Sequence, residues 1–267
     1  MKALKYLPAA QVAAVFTDID DTLTTGGKLD AATYGALESL QRAGLLVIPV
    51  TGRPAGWCDL IARLWPVDGV IGENGALYMW HDRDSGVLRT RHLLDPSQRR
   101  ANAARMAEVR DRILREVPGC AVASDQFCRQ YDLAIDFCED VPPLAPEDVQ
   151  RIVEIMEQAG MTAKISSIHV NGWFGDYDKL SMARLMMRER YGVDLDDEGE
   201  RGRCVFAGDS PNDAPMFAYF PLSVGVANVR RFADSLAHAP GYVTDQPCGA
   251  GFTELSRHLL ESRGHAA

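Results

Sequence analysis

Two short acidic clusters, Asp18-Ile19-Asp20-Asp21-Thr22 and Gly208-Asp209-Ser210-Pro211-Asn212-Asp213, stand far apart in a chain of 267 residues and carry the donor chemistry of one hard-cation site. Each follows an apolar run, Ala13-Ala14-Val15-Phe16 in the first case and Cys204-Val205-Phe206-Ala207 in the second. That context puts both in loops at the carboxyl ends of buried strands, the edge at which open α/β sheets bind ligands. Carboxylates crowded this closely resist joint ionisation unless a cation or a shared proton relieves them. Mg²⁺ suits such a set, because it takes one or two protein carboxylates, keeps several waters and binds a substrate phosphate as well. Taken alone, each cluster also fits a structural role: an Asx turn in the first, and in the second a helix cap at Asp209 or Asp213 with Pro211 in the first turn.

Two further elements join them. Leu45-Leu46-Val47-Ile48-Pro49-Val50 reads as a buried strand ending in Thr51-Gly52-Arg53, a hydroxyl and an amide-rich turn able to hold an anion ahead of a helix that begins near Pro54. Lys179 opens a helical stretch shortly before the second acidic strand. A lone Thr-Gly-Arg is usually a turn and a lone helix lysine a solvated charge, but four such elements in this order rarely arise by chance.

Asp18-x-Asp20-x-Thr22, Thr51, Lys179 and Gly208-Asp209-x-x-Asn212-Asp213 resemble the four motifs of the haloacid dehalogenase superfamily, and the resemblance spans nearly the whole chain. The Asp-x-Asp form of the first motif is similar to that of the family's phosphatases and phosphomutases rather than its dehalogenases. The long segment between the second and third motifs resembles the inserted cap of the Cof-like and sucrose-phosphatase-like branch, with Gly72-Glu73-Asn74-Gly75-Ala76 resembling its Asn-Gly-Ala turn. Asp21 departs from the pattern, standing where many Cof-like members have glycine.

The resemblance implies Asp18 as nucleophile on phosphorus and Asp20 as general acid and then base, with the pKa of Asp20 above that of Asp18. It implies Mg²⁺ held by Asp18, the Asp20 backbone carbonyl and Asp209, with Asp213 close behind or reaching through water. Thr51, Gly52 and Lys179 would hold the phosphate, and Asn74 and Asn212 are further candidates. The expected function is Mg²⁺-dependent hydrolysis of a small phosphorylated metabolite, a sugar or polyol phosphate, through an aspartyl-phosphate. A sugar-phosphate mutase and a catalytically silent sugar-phosphate-binding protein are the alternatives.

A hydrophobic content of 46% suits one large or two modest domains with real cores. No apolar run approaches the roughly 20 residues that span a bilayer, and Met1-Lys2-Ala3-Leu4-Lys5 lacks a long apolar signal core. Six cysteines without a C-x-x-C pair or zinc spacing fit a reducing cytoplasm. A formal net charge of −9 argues against broad nucleic-acid binding, so the expected partner is a small molecule. The arginines between Arg99 and Arg115 alternate with acids around Met106, Val109, Ile113 and Val117, and read as the wet face of a helix.

The expected fold class is α/β, a Rossmann-like doubly wound parallel-sheet core with an inserted α+β cap. Alternation of strand 12–17, helix 30–43, strand 45–50, helix 54–64 and a short strand at 69–71 implies right-handed crossovers and a parallel sheet. Residues 83–172 break this rhythm with strands at 87–93, 121–124, 131–137, 161–166 and 168–170 around helices 97–116 and 146–159. The rhythm resumes with helix 178–191, strand 203–207, helix 212–219, strand 222–226, helix 230–236, strand 241–244 and helix 250–262. The core is therefore expected over 1–82 and 173–267, with crossings near His81 and Gly172 about which a cap could swing. His169, Asn171, Trp173 and Tyr177 at its end could stack on and hydrogen-bond a sugar.

Overall fold

The computed structural model describes residues 1–166 and 168–264. The chain begins with β1 (Lys2–Ala3), β2 (Ala14–Thr17), α1 (Ala31–Arg42), β3 (Leu46–Pro49), α2 (Ala55–Leu64), β4 (Val70–Gly72), β5 (Leu77–Asp82) and β6 (Val87–His92). There follow α3 (Pro96–Glu116), β7 (Ala121–Val122), β8 (Asp132–Asp136), α4 (Pro146–Gln158), β9 (Thr162–Ile165) and β10 (His169–Trp173). The last third holds α5 (Lys179–Met186), α6 (Glu198–Arg201), β11 (Cys204–Gly208), α7 (Ala214–Tyr219), β12 (Leu222–Gly225), β13 (Tyr242–Val243) and α8 (Cys248–Glu261).

The fold is α/β. Six parallel strands pair in the order β1-β13-β12-β11-β2-β3. Strands β2 and β11 are fully buried, as expected of sheet interiors covered on both faces by crossover helices. On one face Leu37 and Leu40 of α1 and Phe252, Leu255 and Leu259 of α8 pack with Val15, Val47 and Val205. On the other, Met182 and Met186 of α5 and Phe217 of α7 pack with Phe16, Ile48 and Phe206. Period-two alternation along each strand sends successive side chains to these two clusters.

The register sets up the site. Thr17 of β2 is level with Ala207 of β11 and with Pro49 of β3. The loops that follow those three strands, carrying Asp18, Asp209 and Thr51, are therefore side by side. Order along the sheet departs in both directions from β2, which places the crevice at this edge.

A separate antiparallel sheet, ordered β7-β8-β10-β9, has α3 and α4 on one face. Ile113, Ile152 and Met156 from the helices pack with Leu133, Ile135 and Val170 from the strands, giving the insertion its own core. The alternate positions, Lys164 opposite Asn171 and Asp136 opposite His169, lie on the sheet's other face. No helix among the described residues is long and apolar enough to cross a membrane.

Most elements fall within two residues of expectation, and the exceptions have local causes. Leu77–Asp82 forms a strand that the sequence reading lacked; it pairs antiparallel with both β4 and Val87–His92. The expected strand at 87–93 thus joins this hairpin, and its neighbours Leu88, Leu93 and Leu94 pack against the core helices' cluster. Helix 178–191 continues from α5 into a π-helical turn at Met187–Tyr191, closed by Gly192 in the left-handed region. Helix 230–236 is replaced by a 3₁₀ turn at Ala227–Phe232, tightened around the buried Asn228.

Candidate active site

Asp18 follows β2 directly, and its N–H donates to the Ala207 carbonyl at 2.9 Å, continuing the ladder to β11 into the loop. Its carboxylate meets the Lys179 ammonium at 2.6 Å. Lys179 takes up that position because Asp178 caps α5: the Asp178 carboxylate accepts from Ser181 N–H, and Ser181 Oγ accepts from Asp178 N–H. Gly75 of the Asn-Gly-Ala turn packs against this cap: its φ of 105° favours glycine, and a Cβ there would collide with the Asp178 carbonyl.

Asp213 is fully buried and both its oxygens are engaged. One accepts from Lys179 at 2.9 Å; the other accepts the backbone N–H groups of Asp209 at 3.1 Å and Ser210 at 3.4 Å. It therefore holds the lysine and shapes the loop, while Asp209 faces the cavity. The Asp209 carboxylate accepts from Thr22 Oγ1 at 3.3 Å and from Asn228 Nδ2 at 3.0 Å.

Burial pushes Asp18 up to about 7, with Asp213 and Asp20 adding to the rise and Lys179 opposing it. Burial pushes Asp209 up to about 8, helped by Asp18, Asp213 and Asp21. The lysine goes the other way: Asp18 and Asp213 hold its ammonium charged well above the ordinary range, against the cost of burial. Oxygens of Asp18, Asp209 and Asp213 lie within 4.8 Å of one another. One buried ammonium leaves this carboxylate set under-compensated, and a hard divalent ion with oxygen ligands fits the deficit.

Asp20 stands half-exposed and is gripped by Arg53, whose Nη2 lies 2.7 Å from Oδ1 and whose Nε lies 3.1 and 3.0 Å from Oδ1 and Oδ2. Arg53 also lies over the Trp57 ring, 4.5 Å from its centroid. Thr51 is fully buried, and its hydroxyl oxygen accepts from Arg53 N–H at 3.0 Å, leaving its O–H free to donate. Gly52 and Asn74 border the same cavity of about 350 Å³ as Asp18, Asp20, Lys179 and Asp209, whereas the Thr51 side chain lies behind its wall. Asn74 sits at φ 55° and donates its backbone N–H to Thr51 O. Asn212 reaches across the cavity mouth, its Nδ2 3.4 Å from the Ile165 carbonyl.

Of the four residues proposed to contact a sugar, His169 and Asn171 border the cavity, and His169 pairs with Glu139 at 2.9 Å. Trp173 and Tyr177 do not border it: they are buried and stack on each other with ring centroids 5.8 Å apart.

Several participants were not singled out from the sequence. Asn228 ties Asp209 to the Asp21 carbonyl and to Cys248 N–H. Glu73, fully buried, accepts backbone N–H groups from Ala55 on one side and from Gln130, Tyr131 and Asp132 on the other, joining the Asn-Gly-Ala turn to the insertion. Burial pushes it up to about 7, with Asp132 adding to the rise and those N–H donors opposing it. Arg129, paired with Asp125 and Asp132, donates to the Gly52 carbonyl at 3.2 Å. Asn228 had no sequence signal, lying in the gap between the expected strand 222–226 and helix 230–236; Glu73 was visible only as part of a turn motif.

A family model for haloacid dehalogenase-like hydrolases matches residues 15–100. The chain is 28% identical over 246 residues to a phosphoglycolate phosphatase of Pyrobaculum neutrophilum, covering 91% of this chain and 93% of that protein. It is 26% identical over the same length to that of Pyrobaculum aerophilum. Among solved structures, protein 0175 of Thermoplasma acidophilum superposes with a TM-score of 0.71 at 19% identity, covering 93% of this chain and 98% of that one. The sucrose-phosphatase of Synechocystis, solved with sucrose and phosphate, superposes with a TM-score of 0.63 at 16% identity over 93% and 98% of the two chains. The four motifs gathered at one sheet edge, the family model over residues 15–100 and the near full-length relatives agree in likening the chain to the haloacid dehalogenase-like hydrolases, whose fold it shares.

Proposed function

We propose that the protein hydrolyses a small phosphomonoester with Mg²⁺ bound, through a phosphoenzyme formed on Asp18. The observation that carries this reading is the buried contact of Lys179 with Asp18 beside Asp209, which pairs a nucleophile with the charges needed to admit an anionic substrate. Asp18, Asp209 and the Asp20 carbonyl would hold the ion, which neutralises phosphate charge when bound.

The chain's own groups do the rest. Asp18 attacks phosphorus in line with the departing oxygen. Lys179 and the Gly52 N–H supply donors to the phosphoryl oxygens, positioned before the reaction begins, while Thr51 behind the wall braces their turn by accepting from Arg53 N–H. Asp20 protonates the departing alcohol oxygen and then takes a proton from the water that cleaves the acyl phosphate, which returns Asp18 to its starting state. Arg53 orients Asp20 for both steps.

The insertion acts as the cap. The part that roofs the cavity is the β7-β8-β10-β9 sheet with α3 and α4, while β6 continues the hairpin begun by β5. Closure over a site of this size excludes water and selects among small substrates. The relatives act, by their names, on phosphoglycolate and on sucrose phosphate, which brackets the substrate as a small phosphorylated acid, sugar or polyol. Release of inorganic phosphate from a panel of phosphomonoesters, dependent on Mg²⁺ and abolished by chelator, tests the proposal. Turnover in excess chelator, or isomerisation without phosphate release, would overturn it.

A further inference from the structure

Lys164 of β9 borders the cavity from the roof, on the sheet face that looks away from α3 and α4. Its ammonium forms no ion pair with any carboxylate among the described residues; the Trp173 ring, 5.9 Å away, is its one aromatic neighbour. Lys164 and Lys179 border the one cavity from cap and core; burial lowers the pKa of Lys164 and the Lys179 ammonium lowers it further, against the attraction of Asp178 and Asp213, with neither of which it forms an ion pair. Directly opposite it on β10, Asn171 is 7% exposed; its Nδ2 donates to Asp132 Oδ2 at 3.3 Å, and its buried Oδ1 has no partner. A half-buried cation without a counter-ion and a buried acceptor without a donor are both costly to keep in an empty roof.

We propose that Lys164 is the specificity-determining residue of the cap and binds a carboxylate at the end of the substrate remote from the phosphate, with Asn171 Oδ1 accepting from a neighbouring substrate hydroxyl. This rests on the phosphomonoesterase reading of the site and names its substrate class: a short phosphorylated hydroxy acid. Of the arginines that border the cavity, Arg53 is paired with Asp20, Arg129 with Asp125 and Asp132, and Arg231 belongs to the core's Ala227–Phe232 turn. The single ammonium that Lys164 adds from the roof matches a carboxylate's single negative charge, whereas a second phosphate calls for several cations or a nest of N–H donors on that side. The phosphate end lies at Lys179 and Asp18, and a cavity of about 350 Å³ leaves room for only a short organic part between the two ends.

The test compares 3-phosphoglycerate with glycerol 3-phosphate, which differ by carboxylate against hydroxymethyl, and uses p-nitrophenyl phosphate to report the core chemistry. Wild type should favour the acid in kcat/KM by about 10- to 100-fold, the range of a charge-assisted hydrogen bond. Lys164→Met should erase that preference, chiefly through KM, with p-nitrophenyl phosphate turnover falling far less than turnover of the acid and the melting temperature no lower than that of wild type; Lys164→Arg should retain part of the preference. Calorimetric titration of both compounds into Asp18→Asn protein, with and without Lys164→Met, reads the same preference as binding. Equal handling of the two compounds by wild type, a preference for fructose 1,6-bisphosphate over the acid, or a preference that survives Lys164→Met overturns the assignment. Loss of p-nitrophenyl phosphate turnover in wild type would instead strike at the phosphatase reading, while the calorimetric comparison would still decide the role of Lys164.

Discussion

Arg53 holds Asp20 in a fork, with Nη2 2.7 Å from Oδ1 and Nε within 3.1 Å of both carboxylate oxygens. A planar guanidinium stacked on Trp57 fixes both the place and the plane of that carboxylate. Arg53→Lys should therefore reduce kcat by about 10- to 100-fold on alkyl phosphates, as expected for a misplaced catalytic group. Aryl phosphates, whose leaving group needs little protonation, should lose less in phosphoenzyme formation. Equal losses on both substrate types in pre-steady-state kinetics would show that Arg53 serves binding rather than Asp20.

Asp209→Ala should abolish both metal binding and turnover. Titration calorimetry with Mg²⁺ reads the first and phosphate release the second. Heat of binding that persists in the variant, with wild-type affinity, would place the ion elsewhere.

The buried carboxyls also set a pH dependence. Asp18 and Asp209 rise from 3.8 to about 7 and about 8, and Glu73 rises from 4.5 to about 7. Between those limits the folded, metal-free protein binds more protons than the unfolded chain. Its stability is greatest below the unfolded values and falls as pH rises through the folded ones. Melting temperature in chelator should accordingly drop from about pH 4 towards pH 8, and Mg²⁺ should restore more at pH 8 than at pH 6 because protons then compete less for its ligands. An increment from Mg²⁺ that is larger at pH 6 would contradict this.

Glu73→Gln leaves an amide to face backbone N–H donors that the carboxylate now accepts from both sides of the core and cap junction. With donors left unsatisfied, the cost should be about 1–3 kcal/mol. Hydrogen exchange should quicken first at Gln130, Tyr131 and Asp132, and unchanged protection there would refute the junction's dependence on Glu73.

How much of this could be read from the sequence depended on how local the cause was. The strands leading to Asp18, Thr51 and Asp209 were legible because each is a continuous apolar run ending in polar turn chemistry. Their adjacency followed from parallel topology, and the fold class with them. Strand Leu77–Asp82 was not legible, because Trp80, His81 and Asp82 are only part-buried at the sheet's rim and carry no clean apolar alternation. Asn228 and Lys164 were invisible for another reason: their meaning lies in what the fold sets beside them, Asp209 and the distant Asp21 for one and the cavity shared with Lys179 for the other. Trp173 and Tyr177 show the converse, since aromatic residues near a site suggested ligand contact where burial and mutual stacking keep them in the core.

The role of Asp18 is tested most directly by trapping labelled phosphate on the protein. Asp20→Asn keeps the backbone carbonyl and removes the proton shuttle, a loss of about 10²–10⁴ in rate. With an activated aryl phosphate the variant should still form the phosphoenzyme but hydrolyse it slowly, so that label accumulates. Peptide mapping after acid quench should locate that label on Asp18, and Asp18→Asn should take up none. Label on Asp20 or Asp21 in the wild-type protein, or turnover by Asp18→Asn, would contradict the account.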